Sequence, residues 1–340
     1  MIVSATRAII PERYRRGGLR ALVISNMLPD AANPARGSFV RDQVAALRVI
    51  EGLDVELHEF APGPRALARA TLELRRRHGP PSTFTRRPSV SPWDVVHAHF
   101  GLAAWPALAV PARVHALTVH GTDLMHPRTR LATAAALPFI DLVAAVSEPL
   151  AAALPGAHAR ARAKVLPCGV ALERFHAAPR AQAREALGLN PRRRFLLFPA
   201  DPSRPEKRHD LALALARDAG VELLVLAGVP PERVALFINA SNAVLVPSER
   251  EGFGLGVLEA LACDVPVLAT PVGVHPEALA GVAGTLCAPF SLESWRAALE
   301  PHLREGDPRV QGRASAERFS AAAMAARVHA AWLVALAREG

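Results

Sequence analysis

Short apolar runs recur along the chain, and each ends in polar residues or glycine. The first is Leu19–Asn26, and a helical pattern over Phe39–Gly52 follows it. None of these runs alternates with period two, which is typical of parallel strands buried on both faces of a sheet. Four further strands are predicted on the same grounds: Asp54–Phe60, Val95–Ala98, Ala116–Val119 and Leu142–Ser147.

A second series of the same kind follows Pro167–Phe175. Strand and helix patterns alternate in both series, which predicts α/β architecture with doubly wound parallel sheets. The unit repeats in kind but not in sequence, so two related domains are favoured over a solenoid. The predicted strands are Arg194–Pro199, Val221–Ala227, Ala243–Pro247 and Val265–Thr270, and the helices are His209–Ala219, Gly256–Ala262, Trp295–Leu303 and Ala314–Arg338.

The length of 340 residues suits two domains. We expect a basic N-terminal extension over residues 1–18, a first domain over 19–172 and a second over 173–318, with a last helix, about 319–340, that packs back onto the first. Parallel α/β domains bind ligands at the carboxyl ends of their strands. Two such domains facing each other therefore predict a ligand cleft.

Composition narrows the class of protein. Hydrophobic residues make up 51% of the chain and charged residues 21%, which is typical of a packed globular protein. Cys168, Cys263 and Cys287 lie far apart, so neither a disulfide framework nor a zinc site is expected, in keeping with a reducing cytoplasm. No apolar stretch is long enough for a membrane span or a signal peptide. A cytoplasmic location, extending to the inner face of the membrane, is the expectation.

The net charge of +9 lies entirely in residues 1–172. Arginines are densest between Arg65 and Arg87, where Glu73 is the one acidic residue. Such a patch attracts polyanions or an anionic membrane, and a solvated surface is the alternative interpretation. The basic residues are not interleaved with exposed aromatics, so a nucleic-acid partner is not expected.

The segment Leu245–Gly273 carries the strongest chemical signal. Glycines allow its loop to approach a ligand closely, and the helix that follows offers unpaired N–H groups that suit a diphosphate. Glu251 lies on the loop, within reach of the hydroxyls of a transferred sugar, and Glu259 lies one turn into the helix, within reach of a ribose. A glycine-rich loop with two unspecialised glutamates is the structural alternative.

A nicotinamide site is disfavoured at this loop. The G-x-G-x-x-G pattern fails in both registers, because its third position is Val257 or Glu259. Position 270, where an acidic residue is expected, is threonine.

The stretch Glu251–Glu259, continued by Ala260–Cys263 and Val265–Val267, resembles the signature of the family-four retaining glycosyltransferases (glycosyl transferases group 1). Other segments resemble the family in the same order, and the likeness extends from about residue 20 to residue 330. These segments are Asn33–Gln43, Asp94–His99, Leu117–Asp123, Ala145–Ser147 and Val165–Val170, with Phe175 after the last.

The resemblance implies a GT-B fold, in which two Rossmann-like domains face each other across a cleft. It implies retaining transfer from a nucleotide-diphosphate sugar to a glycan or lipid-linked acceptor, with neither a metal nor another cofactor. His120 and Glu251 are then the catalytic candidates, since both would face the transferred sugar. The donor-binding candidates are Gly37, Arg204, Lys207, Phe253, Gly254, Leu255, Gly256 and Glu259.

Lys207 has separate support, because Lys164 is the only other lysine in this arginine-rich chain. A compact point charge suits a site where a leaving diphosphate gains negative charge.

Three departures from the family pattern stand out. Position 202 is proline where the family usually has arginine, and Arg204 is the hypothesised substitute. The interdomain crossing reads Cys168–Ala171 in place of Asn-Gly-Val-Asp. The stretch between Val221 and Ala243, which commonly surrounds the nucleotide base, is compressed to one turn and one helix, so the nucleotide cannot be inferred from the family.

Three other functions remain open. A sugar-nucleotide epimerase shares the fold but lacks the two glutamates at this spacing. A polyanion-binding protein would account for the charge, and a catalytically inactive GT-B protein would account for the departures.

Overall fold

The computed structural model describes residues 18–79, 92–304 and 306–338. Residues 1–17 of the predicted extension and residues 80–87 of the basic run lie outside the described residues. The chain forms two compact units. Unit 1 contains Met1–Pro29, Arg36–Cys168 and Ala322–Gly340, and unit 2 contains Asp30–Ala35 and Gly169–Ala321.

Unit 1 is built on a six-stranded parallel sheet with the order β2-β1-β3-β4-β5-β6. All five predicted strands are present, and a short sixth was not predicted. The strands are β1 Leu19–Ser25, β2 Leu53–Glu59, β3 Val95–His99, β4 Val114–Val119, β5 Leu142–Ala145 and β6 Lys164–Val165. The helices are α1 Ser38–Arg48, α2 Pro64–His78, α3 Ala104–Leu108, α4 Thr122–Met125, α5 Pro127–Ala136, α6 Glu148–Ala152 and α7 Ala157–Arg162.

The inner strands β3 and β5 of this sheet are fully buried, although β3 contains His97 and His99. The C-terminal helix α15 (Ala321–Ala337) adds the fully buried Trp332 to this core, and its indole N–H donates to Nδ1 of His97 over 3.1 Å.

Unit 2 is built on a five-stranded parallel sheet with the order β11-β10-β9-β7-β8. Its four predicted strands are present, and β11 was not predicted. The strands are β7 Phe195–Phe198, β8 Glu222–Val225, β9 Ala243–Val246, β10 Val267–Ala269 and β11 Leu286–Cys287. The helices are α8 Arg180–Ala186, α9 His209–Asp218, α10 Pro231–Ala240, α11 Leu255–Ala262, α12 His275–Leu279, α13 Leu292–Arg304 and α14 Arg313–Glu317.

The compressed stretch of unit 2 has the predicted form. One helix, α10, connects β8 to β9, and β8 forms an edge of the sheet among the described residues. Since β8 and β9 flank β7 on opposite sides, the strand order reverses between β7 and β9. Ligands of open α/β sheets bind at such a point, outside the carboxyl ends of the strands.

The prediction of a single helix over Ala314–Arg338 is wrong, because this segment forms two helices, α14 and α15. Between them Ser320 pairs with Val170, and the amide of Ala321 donates to the Val170 carbonyl over 2.8 Å. These backbone contacts replace intrahelical hydrogen bonds.

Within the described residues, no helix is long and apolar enough to span a bilayer.

Candidate functional site

The predicted donor loop lies at the switch point of unit 2. It follows β9 and ends at Gly254, which caps α11 with φ 108°. A side chain at Gly256 would meet Pro199, just after β7, with its Cβ 3.2 Å from the proline ring. The N-terminus of α11 therefore lies against the carboxyl end of β7.

Lys207 and Glu251 form an ion pair at this edge. Lys207 ends a short 3₁₀ turn, Pro205–Lys207, and its Nζ lies 2.5 Å from Oε2 of Glu251. The two side chains are only 12% and 8% exposed. Ser248 donates its hydroxyl to the other carboxylate oxygen over 2.8 Å. Both oxygens of Glu251 are thus held in place.

A second set of contacts joins the same two loops. The amide of Glu249 donates to the carbonyl of Glu206 over 2.9 Å, and the guanidinium of Arg208 pairs with the Glu249 carboxylate at 2.9 Å. Arg208 adopts a left-handed backbone conformation, φ 55°, directly after Lys207. This turn directs Lys207 and Arg208 to different carboxylates of the neighbouring loop.

The other predicted donor residues of unit 2 lie in the same two segments. Phe253 is buried against Phe319, with ring centroids 6.1 Å apart. Leu255 and Gly256 begin α11, and Glu259 lies one turn further on, half-buried. Arg204 shares the turn with Lys207, but its guanidinium pairs with Glu206 at 2.8 Å. The donor-binding role of Arg204 stays a prediction.

A buried histidine lies beneath this loop, and sequence reasoning missed it. His275 begins α12 and is fully buried, with Nδ1 2.8 Å from the Thr270 carbonyl. A side chain at Gly254 would overlap its ring. His275 was missed because nothing in the local sequence marks it. Only its packing against Gly254, some twenty residues earlier in the chain, places it at the candidate site.

In unit 1, Gly37 precedes the N-terminus of α1. Its φ is 70°, and a Cβ at this position would lie only 2.5 Å from the Met27 carbonyl oxygen. Any larger residue would therefore displace the chain around Met27, so the close approach of these two backbone segments requires glycine.

His120, directly after β4, is half-buried and contacts a group of buried polar side chains. Its Nε2 lies 2.9 Å from Nδ1 of His99, and its Nδ1 lies 4.0 Å from the sulfur of Cys168. Its amide donates to the buried carboxylate of Asp123, which also accepts from Gly121. Burial lowers the pKa of His120 well below its ordinary value, so the imidazole is neutral near pH 7.

The same group extends to the C-terminal helix. Because the indole of Trp332 donates to Nδ1 of His97, the ring proton of His97 is on Nε2, which donates to the Thr118 hydroxyl over 2.8 Å. The His97 ring stacks on His99 at 4.8 Å. Burial lowers the pKa of His99 to about 3. Thr118 and Asp123 lie within the segment Leu117–Asp123, which the sequence had singled out. Trp332 is distant in sequence, and only the fold brings it to His97.

Two family models match the chain. The model for glycosyl transferases group 1 covers residues 185–321, which include the donor loop, and the model for Glycosyltransferase Family 4 covers residues 56–174. A D-inositol 3-phosphate glycosyltransferase of Actinosynnema mirum is 32% identical over 344 residues, 83% of this chain and 79% of the relative. The chain belongs to the group 1 glycosyltransferases. The predicted family is confirmed.

This glycosyltransferase also matches a D-inositol 3-phosphate glycosyltransferase of Mycobacterium marinum, at 29% identity over 81% of the chain and 66% of the relative. Among solved structures it is similar to sucrose-phosphate synthase of Thermosynechococcus elongatus, with a TM-score of 0.67 and 18% identity over 92% of this chain and 97% of that one.

It is likewise similar to the catalytic domain of starch synthase IV of Arabidopsis thaliana, with a TM-score of 0.67 and 13% identity over 94% and 99% of the two chains. The predicted fold class, two Rossmann-like parallel-sheet domains of GT-B type, is confirmed by these likenesses and by the two sheets.

Proposed function

We propose that this glycosyltransferase uses a nucleotide-diphosphate sugar whose diphosphate binds unit 2. The observation that carries the proposal is the pair of Lys207 and Glu251 beside the N-terminus of α11. The first amides of a helix lack intrahelical partners and carry partial positive charge, which suits a phosphate. Lys207 adds a full positive charge at the same edge.

Donor binding would exchange the partners of the Lys207–Glu251 ion pair. Phosphate oxygens would compete with Glu251 for the ammonium group of Lys207. The freed carboxylate oxygen of Glu251 would then accept hydrogen bonds from sugar hydroxyls, while Ser248 holds the other oxygen. Glu259, one turn into α11, would accept from the ribose.

Catalysis on this account is electrostatic. As the glycosidic bond breaks, the leaving nucleoside diphosphate gains negative charge, and fixed positive groups lower the energy of that state. Lys207 and the α11 amides would supply these groups without a metal or another cofactor. Transfer with retention is part of the proposal, with Glu251 as a sugar-binding residue and not a nucleophile.

His120 and Gly37 remain predicted site residues of unit 1. A neutral imidazole suits a hydrogen bond to a sugar hydroxyl better than it suits proton donation, because burial disfavours its charged form. Gly37 would offer backbone amides at the start of α1 to an anionic group.

The acceptor is proposed from the relatives and from charge. The two relatives described above are named for D-inositol 3-phosphate. A phosphorylated polyol is therefore a third candidate acceptor, besides a glycan and a lipid-linked acceptor.

The basic helix α2 exposes arginines around Leu72, which is itself 55% exposed. We propose that this face meets an anionic membrane. Co-sedimentation with phosphatidylglycerol vesicles, lost in Arg69→Glu/Arg76→Glu, would support that contact.

Turnover tests the proposed function. Purified protein is incubated with UDP-, GDP-, ADP- and TDP-sugars and the three classes of acceptor, with and without EDTA, and the anomeric configuration of the first product is read by NMR. The proposal expects a retained configuration and activity that survives EDTA. An inverted product or a metal requirement would contradict those parts of it. Salt-dependent polyanion binding without turnover would favour the alternative function.

A further inference from the structure

His275 has an unusual hydrogen-bonding state beneath the donor loop. The Thr270 carbonyl can only accept, so the ring nitrogen beside it, Nδ1, carries a proton and donates over 2.8 Å. In the neutral ring, Nε2 is therefore an acceptor. Among the described residues no hydrogen-bond partner reaches Nε2, although it is fully buried.

Nε2 points at the residue that caps α11. A Cβ on Gly254 would lie 2.5 Å from Nε2 and 2.7 Å from Cδ2 of the ring. The amide of Val274 also donates to the Phe253 carbonyl over 2.8 Å, so the start of α12 is tied to the loop above it. The imidazole thus supports the backbone whose amides would hold a diphosphate.

Two charged groups act on this ring from the loops above it. Burial is the largest influence and lowers the pKa of His275 below its ordinary value; Glu251 and the hydrogen bond to Thr270 favour the protonated form, and Lys207 opposes it. The other charged groups on α12 and on the helices packed against it are Glu277, Glu259 on α11, and Arg313 and Glu317 on α14. Glu277 pairs with Arg318, and Arg313 pairs with Glu317. The thiol of Cys287 lies on β11, which also packs against α12.

We propose that His275 is a positioning residue for the diphosphate-binding loop and that it takes up a proton when the donor binds. The inference rests on the proposed function, because the diphosphate is the charge that would drive the uptake. Bound phosphates bring negative charge above Gly254, and they draw Lys207 away from Glu251. Both changes favour an imidazolium below the loop. The proton comes from solvent to Nε2, and Nδ1 keeps its hydrogen bond to Thr270.

The sign of the pH dependence follows from linkage. A site that gains a proton on binding holds its ligand more tightly as the pH falls. The affinity for the donor should therefore rise as the pH falls from the pKa of His275 in the bound state towards its lowered pKa in the free protein, by up to about tenfold per pH unit. At higher pH, where His275 is neutral in both states, its contribution disappears.

Calorimetry measures the uptake directly. Binding of UDP-, GDP-, ADP- and TDP-glucose is measured in buffers with different enthalpies of ionisation, so that the heat reports protons exchanged. Both phosphates of a nucleotide-sugar are esterified, so the ligand itself does not titrate near neutral pH. The test variant is His275→Asn, whose amide can take the place of Nδ1–H toward Thr270 but cannot be protonated. The control is His302→Gln, which can keep the hydrogen bond to the Gly284 carbonyl.

The expected result is proton uptake by the wild type and by His302→Gln, with little or none by His275→Asn at a similar melting temperature. Equal uptake by the wild type and His275→Asn, or no uptake by the wild type, would overturn the role of His275 while leaving donor binding intact. Failure of the wild type to bind any of the four donors would overturn the proposed function, and this inference with it.

Discussion

Lys207 and Glu251 form a mostly buried ion pair in the proposed donor site. Two opposite charges that are mostly removed from water stabilise each other only while both are present. Lys207 could be predicted as a site residue because lysine is rare in this arginine-rich chain. Glu251 and Glu259 could be predicted from the seven residues that separate them. The pairing of Lys207 with Glu251 and the support from Ser248 came only from the fold, because the 3₁₀ turn and the loop are some forty residues apart in sequence.

The ion pair predicts non-additive stability. Glu251→Gln and Lys207→Met should each lower the free energy of unfolding by about 3 kcal/mol, because each leaves the partner charge without its counterion. The double variant should lose clearly less than the sum, as measured by urea unfolding. If the two effects add to within about 0.5 kcal/mol, the pair does not act as a unit.

At the scale of elements, the start of α11 depends on the geometry of Gly254. The apolar run of β9 and the glycines after it predicted a strand, a loop and a helix in the correct places. The α12 helix below the loop was not predicted, because its five residues give too short a pattern. His275 was missed because it packs against Gly254, some twenty residues earlier in the chain. Short elements such as β6 and β11 were missed likewise, since two residues carry no periodicity.

Replacing Gly254 should damage both the loop and binding. Gly254→Ala adds a methyl group at φ 108° against the ring of His275, so we expect a loss of about 1–3 kcal/mol in unfolding free energy and loss of donor binding. Gly188→Ala is the matched control, because Gly188 has φ 68° and open space around it. That control should lose stability but keep its donor affinity. Donor affinity unchanged in Gly254→Ala would contradict the assignment of the loop.

The histidine group on β3 and β4 predicts an acid-sensitive unit 1. The unfolded chain protonates His99 near its ordinary pKa of 6.5, whereas burial lowers the folded value to about 3. The unfolded state therefore binds more protons between these values, and stability falls as the pH falls through that window, by a few kcal/mol. His99→Asn, whose amide can still meet His120, should show a shallower decline. Parallel stability curves for the two proteins would rule out this source of acid sensitivity.

At the scale of the whole molecule, the chain forms two parallel sheets from two series of apolar runs, and both sheets were predictable. The last helix belongs to the first unit, where Trp332 donates a hydrogen bond to His97. The break between α14 and α15 was not predictable from composition, because an alanine-rich sequence favours one long helix. The backbone pairing of Val170 with Ser320 decides it. The ranges proposed for the domains remain predictions beyond these contacts.

The central claim is that unit 2 holds a nucleotide-diphosphate sugar through the α11 loop, and thermal unfolding with the four nucleotide-sugars tests it most directly. A ligand that binds only the folded state stabilises it by about 2.7 kcal/mol at one hundred times its dissociation constant. The account predicts a rise in the melting temperature with at least one donor, retained in the surface variant Glu185→Ala and lost or much reduced in Glu259→Ala. No shift with any donor, or an equal shift in Glu259→Ala, would contradict it.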